Sequence, residues 1–223
     1  MTLEVGFLLF PRVQQLDLTG PYEVLAALRD AKLHLIWKNC DPITASTGLI
    51  LTPNADYKTC PKLDILCIPG GGGINALLED ADTIAFVKRQ AAQARYVTSV
   101  CTGALLLGAA GLLRGKRATT HWNAFDLLAA FGAIATQGRV VQDGNLITAG
   151  GVTAGIDFGL AIVAELAGRE EAETIQLGLE YRPDPPFDVG SPEKASPSVL
   201  AAAKERASAS RQAREAIIAR ITV

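Results

Sequence analysis

Cys101 stands in Tyr-Val-Thr-Ser-Val-Cys-Thr-Gly-Ala-Leu-Leu-Leu-Gly, residues 96–108. A β-type run gives way there to small residues and a Leu-rich stretch, which places the cysteine where a buried strand meets a helix. Such an elbow exposes one side chain at the carboxyl edge of a sheet, where open α/β folds bind ligands. A thiol at that point lies along a helix N-terminus, whose partial positive charge favours thiolate over thiol. Small Thr102 and Gly103 let backbone amides approach whatever the sulfur attacks. The chemistry this arrangement suits is nucleophilic catalysis, with a buried structural cysteine as the alternative.

A nucleophilic thiol needs a group to manage its proton. The chain has two histidines, His34 and His121. His34 alternates within a strand pattern, and His121 opens Thr-Thr-His-Trp, a position suited to a hydrogen-bonded structural residue. Asp17 is better placed, in Gln-Gln-Leu-Asp-Leu-Thr-Gly-Pro between the first strand and the first helix. It reads either as an acid facing the sulfur or as a helix cap acting with Thr19. In an apolar pocket, burial and a neighbouring negative charge favour its protonated form. The glycine run 70–73 follows another strand and offers bare N–H groups as an anion or oxyanion site, or else a plain exit turn. It is neither a P-loop nor a G-x-G-x-x-G fingerprint.

The remaining cysteines carry less. Cys67 lies in the apolar run Ile-Leu-Cys-Ile and reads as a small buried hydrophobe, while Cys40 and Cys60 sit in loop-like surroundings beside prolines. No C-x-x-C pair is present, and a structural zinc site would have to gather distant ligands. No metal and no organic cofactor is expected.

The elements that must position these groups alternate in type. Strands are expected over 3–10, 33–37, 64–68 and 96–100, with small hairpins at 43–46 with 48–52 and at 139–142 with 145–148, the latter turning on Asp143-Gly144. Pro21 is expected to open the first helix, and Asp82 to cap a helix ending near residue 94. Further helices are expected at 102–111, 121–131, 152–166 and 170–179. Strands alternating with helices argue for a mostly parallel sheet covered on both faces. Residues 1–181 form this α/β domain. Residues 182–197 hold five prolines and cross the surface as irregular chain before a peripheral C-terminal helix at 198–220 that packs on the same domain or on a dimer.

Composition narrows the classes. With 223 residues, 49% hydrophobic, and a net charge of −2, the chain is too apolar and too weakly charged to be disordered. A pI near 5.7 supplies no basic field for a phosphate backbone, so nucleic acid is not an expected partner. The longest apolar stretch, residues 103–113, is far shorter than the ~20 residues a spanning helix needs, so no membrane is expected either. The N-terminus lacks the basic region of a signal peptide, and a cytoplasmic location is expected.

Five segments, taken in order, carry a resemblance. Leu-Asp-Leu-Thr-Gly-Pro, Ile-Pro-Gly-Gly, Val-Thr-Ser-Val-Cys-Thr-Gly-Ala, Ala-Thr-Thr-His-Trp and Thr-Ala-Gly-Gly-Val-Thr-Ala-Gly-Ile-Asp resemble the ThiJ/PfpI family over residues 3 to 180. The likeness is greater to the branch that hydrates isocyanides, and it extends into Leu-Glu-Tyr and Pro-Pro-Phe near Glu180 and Phe187. It implies a flavodoxin-like three-layer sandwich, a homodimer, a cysteine nucleophile matching Cys101 and an acid matching Asp17. Protease-like members carry His after the cysteine; this chain has Thr102, which argues against peptidase activity.

On that resemblance the expected reaction is addition of Cys101 to the terminal carbon of a small-molecule isocyanide, with Asp17 delivering the proton and then activating water. Thr102 orients Asp17 or the intermediate, amides around Gly71, Gly72 and Gly150 polarise the developing charge, and Trp122 and Val152 form part of an apolar wall that a second subunit completes. Two other readings stand beside it. One is a ligand-sensing module, since similar segments occur in the sensor domains of AraC-type regulators. The other is an oxidative-stress or glyoxal-handling relative.

Overall fold

In the computed structural model, which describes residues 2–222, the chain alternates strands and helices from end to end. Strand β1 (Leu3–Leu8) leads to α1 (Gln15–Ala26) and β2 (Ala31–Trp37), then to the short strands β3 (Ile43–Thr44), β4 (Ile50–Leu51) and β5 (Ala55–Asp56). Next come β6 (Ile65–Ile68), α2 (Ile74–Leu77), α3 (Ala81–Ala91), β7 (Tyr96–Val100), α4 (Gly103–Ala109) and β8 (Arg117–Ala118). A 3₁₀ helix (Trp122–Phe131), β9 (Ile134–Ala135), β10 (Val140–Asp143), β11 (Leu146–Ala149), α5 (Ala154–Ala167), α6 (Arg169–Gly178) and α7 (Pro197–Ile221) complete it.

Seven strands form the main sheet in the order β10-β11-β7-β6-β1-β2-β5. All its neighbours are parallel except the β10–β11 hairpin at one edge. β6 and β7 are buried at every position, because apolar runs without polar alternation need cover on both faces. That cover comes from two helical groups, α1 with α5 and α6, and α2, α3 and α4 with the 3₁₀ helix and α7. The fold is the expected flavodoxin-like sandwich.

Several local expectations are corrected. Pro21 lies inside α1, which starts six residues earlier at Gln15. The missing N–H costs one helical bond, but the ring packs where a Cβ on Gly155 of α5 would stand 2.7 Å from Pro21 Cδ, so the two helices meet at close range. Asp80, not Asp82, caps α3, its carboxylate accepting from the Thr83 N–H at 3.2 Å. The hairpin turns on Gly144-Asn145, since Asp143 is paired with Leu146 and Gly144 takes the positive φ of 64°. The helix expected over 121–131 is a 3₁₀ helix over Trp122–Phe131.

Candidate active site

The carboxyl ends of β1, β6, β7 and β11 bring the site together. Cys101 follows β7 directly and has a φ of +55°, a left-handed conformation that costs a non-glycine residue about 1–3 kcal/mol. Two hydrogen bonds hold it there. Its N–H donates to the Ala149 carbonyl at 3.0 Å, and its carbonyl accepts the Thr120 hydroxyl at 2.6 Å. The left-handed turn takes the residue out of the strand ladder and leaves the sulfur beside the start of α4, where the Thr102 amide favours its charged form.

Asp17 is fully buried, in the first turn of α1, and does not cap that helix. Thr19 bonds to Gln15 instead, and the Asp17 carboxylate turns across the sheet edge to accept the Gly70 N–H at 2.9 Å through Oδ2. Its other oxygen, Oδ1, is buried with no hydrogen-bond partner among the described residues. Loss of water pushes the Asp17 pKa up from 3.8 to about 7, against partial opposition from the Gly70 amide and the facing Cys101 thiol.

The cysteine does not follow the helix-dipole expectation. Burial and the Asp17 charge raise the Cys101 thiol well above its ordinary value, and the Thr102 amide and the Arg214 charge offset only part of this. A seven-residue helix carries a terminal charge too small to outweigh full desolvation. The Asp17 charge thus works against the thiolate, while Asp17 itself is raised to about 7.

Gly70 is the hinge of the constellation. A Cβ there would stand 2.6 Å from Thr102 N, 2.7 Å from Thr102 Oγ1 and 2.8 Å from Asp17 Oδ2. Asp17 and Thr102 thus meet over a bare α-carbon. The Thr102 hydroxyl accepts the Gly71 N–H at 3.1 Å, so that amide is already engaged. The Gly150 amide is engaged too, by the Arg139 carbonyl at 2.9 Å, and Gly72 lies against the Arg12 guanidinium. The Gly71 and Gly150 N–H groups therefore hold loops together in this structure.

Trp122 and Val152 both line an open cleft of about 720 Å³, together with Thr120, which bonds to the Cys101 carbonyl, and with His121 and Gly150, which adjoin the cysteine's two hydrogen-bond partners. His121 caps the 3₁₀ helix, its Nδ1 accepting from the Asn123 N–H at 3.2 Å, and burial lowers its pKa. It is a neutral ring with one nitrogen occupied. His34 pairs with Glu4 on the adjacent strand. Among the described residues no cluster of three metal-ligating side chains occurs, and no helix is long and apolar enough to cross a membrane.

Residue-by-residue reading missed Thr120 and the buried Arg214, and took Gly70 only as one amide of the run 70–73. Ala-Thr-Thr-His-Trp carried a signal for Thr120. An arginine within an Arg-rich helix carried none.

Comparison with known proteins gives a consistent answer. The model of the DJ-1/PfpI family matches residues 4–165. An isonitrile hydratase of Pseudomonas putida is 58% identical over 220 residues, which cover 99% of this chain and 96% of that protein. A ThiJ/PfpI family protein of Pseudomonas syringae, solved by crystallography, is 45% identical and superposes with a TM-score of 0.95 over 98% of this chain and 91% of its own. An HTH-type transcriptional regulator of Pseudomonas aeruginosa, GbdR, is 30% identical over 185 residues, 79% of this chain but 50% of the regulator.

Proposed function

The chain belongs to the DJ-1/PfpI family, and from that premise we propose that it hydrates isocyanides, R–N≡C, to N-substituted formamides. One observation carries the reading most directly: a solvent-excluded carboxyl group with a pKa near 7 faces the thiol at a strand-to-helix elbow. Identity to the P. putida isonitrile hydratase over nearly the whole of both chains supports the substrate class.

The reaction balances with these side chains and water. The Asp17 carboxylate takes the thiol proton, and the sulfur's electron pair forms a bond to the terminal isocyanide carbon. Protonated Asp17 then gives that proton to the same carbon, leaving the thioimidate R–N=CH–S–Cys101. Asp17, again a carboxylate, takes a proton from water as the hydroxide adds to the carbon, and passes it to nitrogen. The tetrahedral adduct loses its hydroxyl proton to Asp17 while the C–S bond breaks, and Asp17 returns the proton to sulfur. Thr102, held by the Gly71 amide, keeps Asp17 in register through their shared contact over Gly70. No metal or organic cofactor enters any step.

Trp122 and Val152 give the substrate's R group an apolar wall, and a second copy of the chain closes the rest of the open cleft. Sedimentation velocity should return a dimer, and a fully active monomer at assay concentration would remove that part. The match to GbdR favours ligand sensing at the same thiol as the second reading. Formamide release from an aromatic isocyanide, followed by chromatography, decides between them. Multiple turnovers are expected; tight binding without product would favour the sensor.

A further inference from the structure

Helix α7 carries two arginines three residues apart, and their surroundings differ. Arg211 donates to both oxygens of Asp126, at 2.9 and 2.6 Å, and through Nε to Glu215 at 2.7 Å. Its charge is fully answered by carboxylates. Arg214 is more deeply buried, 6% exposed, and its hydrogen bonds go to neutral oxygens: Nε to Asn75 Oδ1 at 2.9 Å and Nη2 to Ser210 Oγ at 3.4 Å. No carboxylate lies within ion-pair distance of it among the described residues. A buried cation without an anion is costly, and such a group persists where a negative charge forms beside it.

The fold determines where that cation stands. Asn75, which holds Nε, also donates to the Ser210 carbonyl at 2.9 Å and so clamps α7 to α2. α2 begins at Ile74, directly after the glycine loop whose Gly70 and Gly71 bind Asp17 and Thr102. Arg211 fixes the same helix to the segment beginning at Trp122 by donating to the Asn123 carbonyl at 2.5 Å. Arg214 is therefore held at the start of α2, behind the glycine loop that binds Asp17 and Thr102, on a helix that Arg211 ties to the segment beginning at Trp122.

We infer that Arg214 is a positioning residue of the cysteine centre, a buried guanidinium that supplies the countercharge when the Cys101 thiol gives its proton to Asp17. The charged and titratable groups acting on the pair are Asp17 from α1, His121 ahead of the 3₁₀ helix, and Arg211 on α7. Asp17 opposes the thiolate, His121 is neutral, and Arg211 is spent on its own carboxylates. Arg214 and Cys101 each feel the other's charge in the favourable sense. A guanidinium remains protonated even when desolvation works against it.

This assignment rests on Cys101 being the reacting thiol of the proposed hydratase, but its test needs no isocyanide. The apparent pKa of Cys101 is read from the pH dependence of iodoacetamide alkylation in the full-length protein, with Cys40, Cys60 and Cys67 replaced by Ala. Arg214→Met should raise it by at least one unit, about a tenfold slower alkylation at fixed pH. Arg214→Lys should restore most of the difference, which a purely structural role would not. Should Arg214→Met fail to fold, Asn75→Asp gives the arginine a carboxylate of its own and should raise the Cys101 pKa in the same direction. An unmoved thiol in folded Arg214→Met or Asn75→Asp, or a loss confined to KM in the formamide assay, overturns the inference. A shifted thiol in a protein that forms no formamide would leave the inference standing and remove the proposed reaction.

Discussion

Two cysteines lie buried in the same sheet, Cys67 in the middle of β6 and Cys101 just past the end of β7. Burial raises both thiols, Cys67 to about 12 and Cys101 well above its usual value. Desolvation alone therefore does not separate Cys67 from the thiol proposed to react. The backbone does. Cys67 is locked in register between Phe7 and Thr98, with both faces of the strand covered. Cys101 has left the ladder through a left-handed turn and lies beside the Thr102 amide and the Asp17 carboxyl group. On the proposed mechanism, reactivity is a property of the sheet's edge, where chain reversal frees side chains that its centre immobilises.

The contrast can be broken most severely at Cys101 itself. Cys101→Ala should lower formamide production at least about a thousandfold while the fold persists, since the elbow already tolerates a small side chain. A variant with near-normal turnover would place the covalent step elsewhere. Asp17→Asn should cost about 10²- to 10⁴-fold in kcat, the range for a positioned acid–base group, and it should make the protein more stable. The Asp17 pKa is raised on folding, from 3.8 to about 7, so the folded state binds the proton more tightly than the unfolded chain does. The native state therefore loses stability as pH rises from 4 to 7. The full cost, on the order of 4 kcal/mol, is carried above pH 7. Thermal melts at pH 8 should favour Asp17→Asn, with the advantage fading towards pH 4; no gain at pH 8 would mean that Asp17 is not strained by burial. For the unsubstituted protein, kcat/KM should climb with pH through about 7, as the Asp17 carboxylate becomes available.

A smaller effect is expected at the hinge. Gly70→Ala puts a methyl group within 2.8 Å of three atoms of the site, and should lower kcat by about 10²-fold with a stability loss of about 1–3 kcal/mol. Stability loss without a kinetic change would show that Asp17 and Thr102 do not need their shared contact. The smallest effect belongs to the other cysteine. Cys67→Ala should change turnover less than about twofold and cost about 1 kcal/mol, the loss of one buried sulfur, as a urea titration would read. A large kinetic loss there would erase the distinction between the two thiols.

Much of this molecule was legible in local pattern. Apolar runs of strand length set apart by helix-length segments are enough for a covered parallel sheet, because no other arrangement satisfies strands that are apolar on both faces. The elbow at Cys101 was visible for the same reason: β-type residues, then small ones, then a Leu-rich helix. Asp17 drew notice as an acid between two leucines, though its local sequence allowed a helix cap equally well. Boundaries fared worse where two residues competed for one role. Asp80 and Asp82 both suit a cap, and Asp143-Gly144 and Gly144-Asn145 both suit a turn; strand register and helix packing chose between them.

What the sequence determined by itself is the set of chemical types and the class of scaffold that carries them. What only the tertiary structure decided is which groups meet and in which protonation state. Asp17 and Gly70 are distant along the chain, yet one amide fixes the carboxylate and the exclusion of water moves its pKa into the working range. The glycine amides read as free donors turn out to be engaged, by Thr102 and by the Arg139 carbonyl. Arg214 meets Asn75, just after the glycine loop of the site, only because α7 folds back onto α2. Desolvation and long-range charge depend on everything that surrounds a group, and a linear pattern records only its neighbours in the chain.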